Sequence, residues 1–215
     1  MAGDARNWFD KNNSLAIEKK MACEQMKGKV DYLEHTNQQF KTEFGKCREL
    51  FVKKLHDYGP AWRILRPSSV TDQILIKANR IRSIEIKKEA LVNEGVYEEF
   101  QGIINYGIIA LIQLKLGFAE KADISVEEVI KLYDEFALQV LELMKRKNHD
   151  YDEAWRAMRI SSYTDLILMK IYRTKEIESN DGVTLVSEGV DANYMDMINY
   201  SVFALIKMDE QNGEC

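Results

Sequence analysis

Residues Lys54–Glu85 read KLHDYGPAWRILRPSSVTDQILIKANRIRSIE, and residues Lys147–Glu178 read KNHDYDEAWRAMRISSYTDLILMKIYRTKEIE. The two stretches align without a gap at a displacement of 93 residues, and 18 of the 32 aligned positions are identical. His, Asp, Tyr, Trp, Arg and Lys are among the residues kept, whereas several apolar positions differ. A repeat kept only for packing would preserve its apolar pattern and let exposed residues change. The repeat therefore predicts a site that is present twice.

Apolar spacing predicts three helices in each copy. The first helix of each copy carries apolar residues at steps of three or four, the spacing of one helix face. These residues are Phe40, Phe44, Cys47, Phe51, Leu55 and Tyr58 in the first copy, and Val129, Tyr133, Phe136, Val140 and Met144 in the second. We expect this helix to end near Gly59-Pro60, because proline disfavours helical geometry in the residue before it. In the second copy, with Asp152-Glu153, it is predicted to run one turn further.

Capping patterns predict where the other helices begin. Ser125 followed by Glu128 is a capping box that opens the first helix of the second copy. Ser69 and Ser162, each followed three residues later by aspartate, are predicted to cap the second helices. The third helices contain INYGIIALI and INYSVFALI, which are apolar on nearly all sides and are therefore expected at the centre.

These patterns predict an all-α fold with six principal helices, arranged as two three-helix repeats with pseudo-twofold symmetry. Neither a strand pattern nor a glycine-rich phosphate loop is found in the sequence. Residues 1–35 have no counterpart in the second copy and are predicted to be a poorly ordered N-terminal extension. Residues 36–117 form the first predicted repeat and residues 118–210 the second, together making one compact unit.

Composition narrows the class of protein. The net charge of -5 and the pI near 5.4 argue against a general nucleic-acid binder, which is usually basic. The three cysteines form no CxxC motif, so neither a disulfide framework nor a zinc site is expected, and a reducing cytoplasm fits best. The most apolar stretch, Ile103–Leu114, is too short to span a bilayer, so no membrane partner is predicted.

A His-Asp pair in each copy is the candidate catalytic group. An imidazole beside a carboxylate could orient a base or deprotonate a water molecule. The alternative is a helix C-terminus at which histidine complements the helix dipole. The candidate catalytic residues are His56, Asp57, His149 and Asp150.

Aromatic and basic residues of the repeat are the candidate substrate-binding groups. Aromatic rings can stack on a base, and guanidinium and ammonium groups suit phosphate oxygens. The alternatives are core packing for the rings and ordinary surface salt bridges for the cations. The candidates are Tyr58, Trp62, Arg63, Arg66, Lys77 and Arg80 in the first copy, and Tyr151, Trp155, Arg156, Arg159, Lys170 and Arg173 in the second.

Acidic residues near the third helix are the candidate metal ligands. Magnesium prefers oxygen ligands, usually one or two carboxylates together with substrate phosphates. Glu94 and Glu188 match between the copies, whereas Asp196 occurs only in the second. The unequal acidic sets predict that the two halves are not equally competent.

Both copies contain a recognisable series of motifs. The series is HDY followed by AW, then SSxTDxIxxK, and later EGV with INYxxxALI. In this series, which covers roughly Thr36 to Met208, the chain resembles the nucleotide modification associated domain 1 family in a tandem-duplicated form. Sequences of that family look like the MazG-like all-α nucleoside triphosphate pyrophosphohydrolases. The resemblance implies a MazG-like helical bundle, a nucleotide partner and Mg²⁺-dependent hydrolysis of a (deoxy)nucleoside triphosphate to monophosphate and pyrophosphate.

The acidic motif of those hydrolases is incomplete here. Asp196 to Tyr200 match their DxxNY element, but the first copy has Gly102 at the position of the aspartate, and the ExxE and ExxD pattern is intact in neither half. The sequence therefore leaves open a non-enzymatic protein that senses a nucleotide or acts as a scaffold, and, beyond it, a purely structural bundle. An outer homodimer is also left open.

Overall fold

The computed structural model of the chain describes residues 33–89, 95–180, 182–186 and 188–213. Nearly all of the predicted N-terminal extension, residues 1–35, lies outside these described residues, and so does Glu94. The chain divides between Gln38 and Gln39, and the contacts described below lie in the part that follows Gln38.

Six α-helices and two short 3-10 turns are present among the described residues, and no strand is. The helices are α1 (residues 33–58), α2 (Pro67–Lys87), α3 (Val96–Leu116), α4 (Val126–Tyr151), α5 (Ile160–Ser179) and α6 (Val190–Asn212). The first 3-10 turn, Ala61–Ile64, connects α1 to α2, and the second, Ala154–Ala157, connects α4 to α5. The all-α prediction is confirmed, with three helices and one turn in each half.

The third helix of each half lies at the centre of the fold. α3 and α6 pack against each other and both contact α4, while α2 covers α3, α5 covers α6, and α2 also packs on α5. Gly107 of α3 permits a close approach, because a Cβ at that position would lie only 2.6 Å from Cγ1 of Ile198 in α6. The nearly continuous apolar sequence of these helices is thus explained by burial on almost every side.

Reciprocal contacts between α2 and α5 relate the two halves. Thr71 Oγ1 donates to Glu178 at 2.8 Å, and the equivalent Thr164 donates to Glu85 at 3.0 Å. Two ion pairs are exchanged in the same way, Arg82 with Asp165 at 2.8 Å and Lys175 with Asp72 at 2.6 Å. Each half supplies the partner that the other requires, as in a twofold interface. This exchange explains why Thr, Asp and Glu recur in the repeat.

The interface carboxyls make the stability of the fold dependent on pH. Burial raises the pKa of Glu85 and Glu178 above the ordinary value of 4.5, although hydrogen bonds from threonine partly oppose this. The folded state therefore holds these protons more tightly than the unfolded state. Both groups stabilise the fold below pH 4.5, and their contribution is lost as the pH rises through the folded pKa.

We expect the double variant Glu85→Gln/Glu178→Gln to lose part of this pH dependence, because glutamine stays neutral. Between pH 4.5 and about pH 8 its free energy of unfolding should fall less than that of the wild type. Urea titrations of both proteins at the two pH values measure the difference. An equal fall in the two proteins would contradict the assignment of the pH dependence to these carboxyls.

The first helices of the two halves end at equivalent positions, α1 at residue 58 and α4 at Tyr151. The prediction that α4 continues for another turn is therefore wrong. Asp152 adopts a left-handed conformation with φ of 47°, where the first half has Gly59 at φ of 65°. Aspartate enters this region more readily than most residues, because its short polar side chain can bond locally. It thus ends the helix without a glycine.

The helix starts agree with the sequence analysis only in part. Ser125 caps α4 as predicted, since its Oγ accepts from the backbone N–H of Glu128 at 3.2 Å. α2 and α5 instead begin at Pro67 and Ile160, ahead of the predicted caps, and no side chain caps either helix. Proline is favoured in the first turn, because the missing N–H would have had no partner there.

Within the described ranges, no helix is long and apolar enough to cross a membrane.

Candidate functional site

A cavity of about 600 Å³ opens in the first half, between the end of α1, the first 3-10 turn and the facing sides of α2 and α3. We call it the first-half cavity. Its volume falls in the range of about 300–1,000 Å³ that is typical of small-molecule sites. The lining residues are Leu50, Phe51, Lys54, Leu55, Tyr58, Gly59, Ala61, Trp62, Ile64, Leu65, Lys77, Glu98, Gly102, Asn105, Tyr106 and Ile109.

The first 3-10 turn places Trp62 in the cavity wall. Gln113 of α3 holds this turn, because its Nε2 donates to the carbonyl oxygen of Arg63 at 3.1 Å. In the second half the equivalent position is Lys207, whose Nζ donates to the carbonyl oxygen of Arg156 at 2.7 Å. Different donors thus fix the same turn against the central helix in both halves.

Three aromatic rings, Tyr58, Trp62 and Tyr106, line the first-half cavity. Tyr58 is 61% exposed, and its pKa is raised by partial burial and, to a smaller extent, by the neighbouring Tyr106. Lys77 Nζ lies 5.9 Å from the centroid of the Tyr106 ring, within the range of a cation–π contact. Flat rings that border a cavity can stack on a nucleobase.

Two lysines, Lys54 and Lys77, bring positive charge to the same cavity. Lys77 Nζ lies 3.3 Å from Oε2 of Glu99, and its side chain runs alongside Gly102. Lys54 makes no ion pair with any residue that the structure describes. Among the described residues, one ammonium group of the cavity is therefore paired and the other is not.

Arg63 was predicted to bind phosphate, but it is buried among groups of the protein. Arg63 is only 2% exposed, and its Nε donates to Asp123 at 2.7 Å. Its other nitrogens donate to Asp123, to the side chain of Gln113 and to the carbonyl oxygen of Gly117. Arg63 therefore ties the first 3-10 turn to the end of α3 and to the segment before α4.

Arg80 and Arg156 are also engaged by carboxylates of the protein. Arg80 pairs with Glu99 in α3. Arg156 lies 2.8 Å from Glu153 and 2.6 Å from Glu210, measured between guanidinium nitrogen and carboxylate oxygen. Neither arginine lines the first-half cavity.

The remaining arginines among the predicted substrate-binding residues, Arg66, Arg159 and Arg173, are exposed and lie outside the lining of the first-half cavity. Arg66 and Arg159 immediately precede α2 and α5. The Arg66 guanidinium lies 5.9 Å from the centroid of the Phe118 ring.

The four predicted catalytic residues are exposed at the ends of α1 and α4. His149 Nδ1 lies 3.1 Å from Oδ1 of Asp150. His56 and Asp57 occupy the equivalent positions, and none of the four lines the first-half cavity. A general base must lie within hydrogen-bonding reach of the proton that it removes. A catalytic role for these pairs would require a substrate that extends beyond the cavity.

In the second half, a charged side chain stands at the position that glycine occupies in the first-half cavity. Asp196 stands at the position of Gly102 and is only 4% exposed. Its Oδ2 lies 2.7 Å from Nζ of Lys170. Its other oxygen accepts from Lys147. These two lysines are the counterparts of the two lysines in the first-half cavity.

In the second half the tryptophan also stacks on a ring of the protein. Phe203 stands at the position of Ile109 and stacks on Trp155, with centroids 4.3 Å apart and ring planes 7° from parallel. Trp155 therefore contacts a protein ring where Trp62 borders the cavity. Tyr151, the counterpart of Tyr58, is exposed.

Two of the three predicted metal ligands lie among the described residues, and they differ in their surroundings. Asp196 is buried between two ammonium groups, which already neutralise its charge, and Glu188 is exposed. The third candidate, Glu94, lies outside the described residues. In the part of the chain that is described, no group of three or more His, Cys, Asp or Glu side chains is placed to hold a metal ion.

Among the cavity residues that sequence reasoning did not assign to the site are Lys54, Gly102 and Tyr106. Lys54 and Tyr106 are identical in the two copies, so the repeat alone could have identified them. For Gly102 the signal is the opposite one, because the second copy has an aspartate there. A difference between two otherwise similar copies marks the place where their sites diverge.

Comparison with known protein families gives one match, repeated in tandem. The sequence model of the family described as nucleotide modification associated domain 1 matches residues 54–114 and again residues 147–208. No curated protein and no solved structure matches the chain. The first matched segment begins at Lys54 and contains the tyrosines, the tryptophan and the second lysine of the first-half cavity.

Proposed function

Because the chain belongs to the nucleotide modification associated domain 1 family, we propose that it binds a (deoxy)nucleotide in the first-half cavity. The observation that carries this proposal is the meeting of three aromatic rings and two lysines around one cavity of about 600 Å³. A nucleotide combines a flat base with an anionic phosphate chain, and both parts find complementary groups there.

In this proposal the rings and the lysines have separate tasks. Tyr58, Trp62 and Tyr106 hold the base, since stacking contributes about 1–3 kcal/mol per base. Lys54 and Lys77 hold phosphate oxygens through charge-assisted hydrogen bonds, which are stronger than neutral ones. The neighbouring arginines act indirectly, by holding the first 3-10 turn and α2 in place.

The contacts of the carboxylates support nucleotide binding without hydrolysis. The resemblance to MazG-like pyrophosphohydrolases suggests Mg²⁺-dependent release of pyrophosphate, which requires carboxylates that are available to a metal. Asp196 is committed to two lysines, and Glu99 is committed to Lys77 and Arg80. A nucleotide-sensing or scaffolding role therefore fits these contacts better than catalysis does.

Lys54→Ala is expected to weaken nucleotide binding by at least about tenfold, because a hydrogen bond to a charged group contributes about 1.5–3 kcal/mol. The matched control is Lys53→Ala, which removes the same charge from the adjacent residue of α1. Lys53 pairs with Glu49 on the surface and does not line the cavity. Isothermal titration of both variants and the wild type with a panel of ribo- and deoxyribonucleoside triphosphates measures the effect.

The same titrations test the proposal as a whole. Saturable binding that Lys54→Ala weakens and Lys53→Ala leaves unchanged supports it. Absence of binding by correctly folded wild-type protein contradicts it, and equal losses in the two variants would show only a general charge effect. Measuring pyrophosphate release with and without Mg²⁺ decides between binding and hydrolysis, and turnover would overturn the non-catalytic form.

A further inference from the structure

The two halves place the same pair of lysines around different groups. In the second half, Asp196 of α6 lies between Lys147 and Lys170, with Oδ2 2.7 Å from Lys170 Nζ. In the first half, the two equivalent lysines line the cavity beside Gly102. One pair of ammonium groups therefore surrounds a buried carboxylate, and the other faces a position without a side chain.

Burial explains why the second pair has its own anion. Lys170 is buried, and a buried ammonium group is strongly destabilising unless an anion compensates it. A carboxylate and a phosphate offer the same kind of acceptor to lysine, oxygen atoms that carry negative charge. Glu99, one turn before Gly102, reaches Lys77 at 3.3 Å but leaves Lys54 unpaired among the described residues. Each half thus offers one carboxylate to its lysines, but in the first half this carboxylate reaches only Lys77 among the described residues.

We infer that the Asp196 carboxylate marks the position of the ligand's phosphate. A phosphate of the bound nucleotide lies over Gly102 between Lys54 and Lys77. The second half contains the equivalent anion site, and the carboxylate of its own Asp196 occupies it. The identity of the ligand in the first half rests on the proposed function. The chain consequently binds one nucleotide, although it contains the repeat twice.

An independent observation shows that the second copy is closed at its aromatic end too. Phe203 stacks on Trp155 at a centroid distance of 4.3 Å, whereas the first half has the smaller Ile109 at the edge of the cavity. A ring of the protein therefore covers the tryptophan that a base would otherwise meet. In the second half, Asp196 thus stands at the position of the proposed phosphate, and Phe203 stands at the position of the proposed base.

The test uses Asp196→Gly, which gives the second half the residue of the first, with inorganic phosphate as the probe. Removing the carboxylate leaves room for an anion between Lys147 and Lys170, so phosphate should bind there and stabilise the variant. We expect the melting temperature to rise by about 3–6 °C at ten times the dissociation constant, relative to chloride at equal ionic strength. The control is Asp196→Asn, which removes the charge but keeps the space filled, and it should show no such gain.

The outcomes separate this inference from the proposed function, because the phosphate measurement does not depend on a nucleotide. No specific gain in Asp196→Gly, or an equal gain in Asp196→Asn, would overturn the inference even if the wild type binds a nucleotide. A specific gain together with no nucleotide binding by the wild type would refute the proposed function alone. If Asp196→Gly does not fold, Gly102→Asp provides the reverse exchange: it should close the first half, and unchanged nucleotide affinity in this variant would contradict the inference.

Discussion

Gly102→Asp is expected to lower the affinity of the chain for its nucleotide by about 100-fold or more, because two charged hydrogen bonds of about 1.5–3 kcal/mol each are lost. The new carboxylate would stand where Asp196 stands in the second half, and it would pair with Lys54 and Lys77 itself. A Cβ at this position would lie 2.6 Å from Lys77 Cε, but this atom is near the end of a flexible side chain that can move. Repulsion between the carboxylate and the phosphate adds to the loss.

Isothermal titration with the nucleotide that the wild type binds best measures this effect. Gly102→Ala is the matched control, since it adds the Cβ without the charge and should weaken binding far less. Circular dichroism and thermal melting show whether each variant is folded, and we expect Gly102→Asp to melt no lower than the wild type. Comparable losses in the two variants would mean that space, and not charge, limits binding at this position.

Trp155→Ala is expected to lower the free energy of unfolding by about 3–5 kcal/mol, the usual cost of truncating a buried aromatic side chain. The Trp155 ring stacks on Phe203, and the guanidinium of Arg156 lies 4.3 Å from its centroid. Both contacts would be lost, and the neighbouring helices could only partly close the space. For a chain of this size the melting temperature should fall by roughly 6–20 °C.

The comparison variant is Trp62→Ala, at the equivalent position of the first half. Trp62 is buried to a similar extent, at 9% exposure against 7% for Trp155, but it borders an existing cavity. We therefore expect Trp62→Ala to cost less stability and to weaken nucleotide binding. Urea unfolding of both variants measures the stability difference. Equal losses of stability would show that Trp62 is packed as closely as its counterpart and does not border open space.

The helices were predictable because their causes are local. The apolar steps of α1 and α4 and the cap at Ser125 lie within single turns of the chain, and the structure contains them. The predicted extra turn of α4 was wrong, because the left-handed conformation of Asp152 is not evident from a sequence without glycine at that position. The beginnings of α2 and α5 were also misplaced, since neither helix uses a side-chain cap.

The candidate site was predictable to a smaller extent. Of the substrate-binding residues predicted from the repeat, Tyr58, Trp62 and Lys77 line the first-half cavity. Other polar residues are identical in the two copies for a different reason. Thr71 and Glu85 recur because each half must present the same group to the other across the α2–α5 contact.

By itself, the sequence determined that the protein is all-helical, that it is built from two related halves, and which family it belongs to. Only the tertiary structure decided that the first half has an open cavity and which of its cations are available to a ligand. Helical periodicity is fixed within a few residues, so one sequence suffices to reveal it. Whether a lysine is available to a ligand depends on whether a carboxylate of another helix pairs with it. Asp196 of α6 pairs with Lys170 of α5 in this way. Such a pair forms only when the helices have packed.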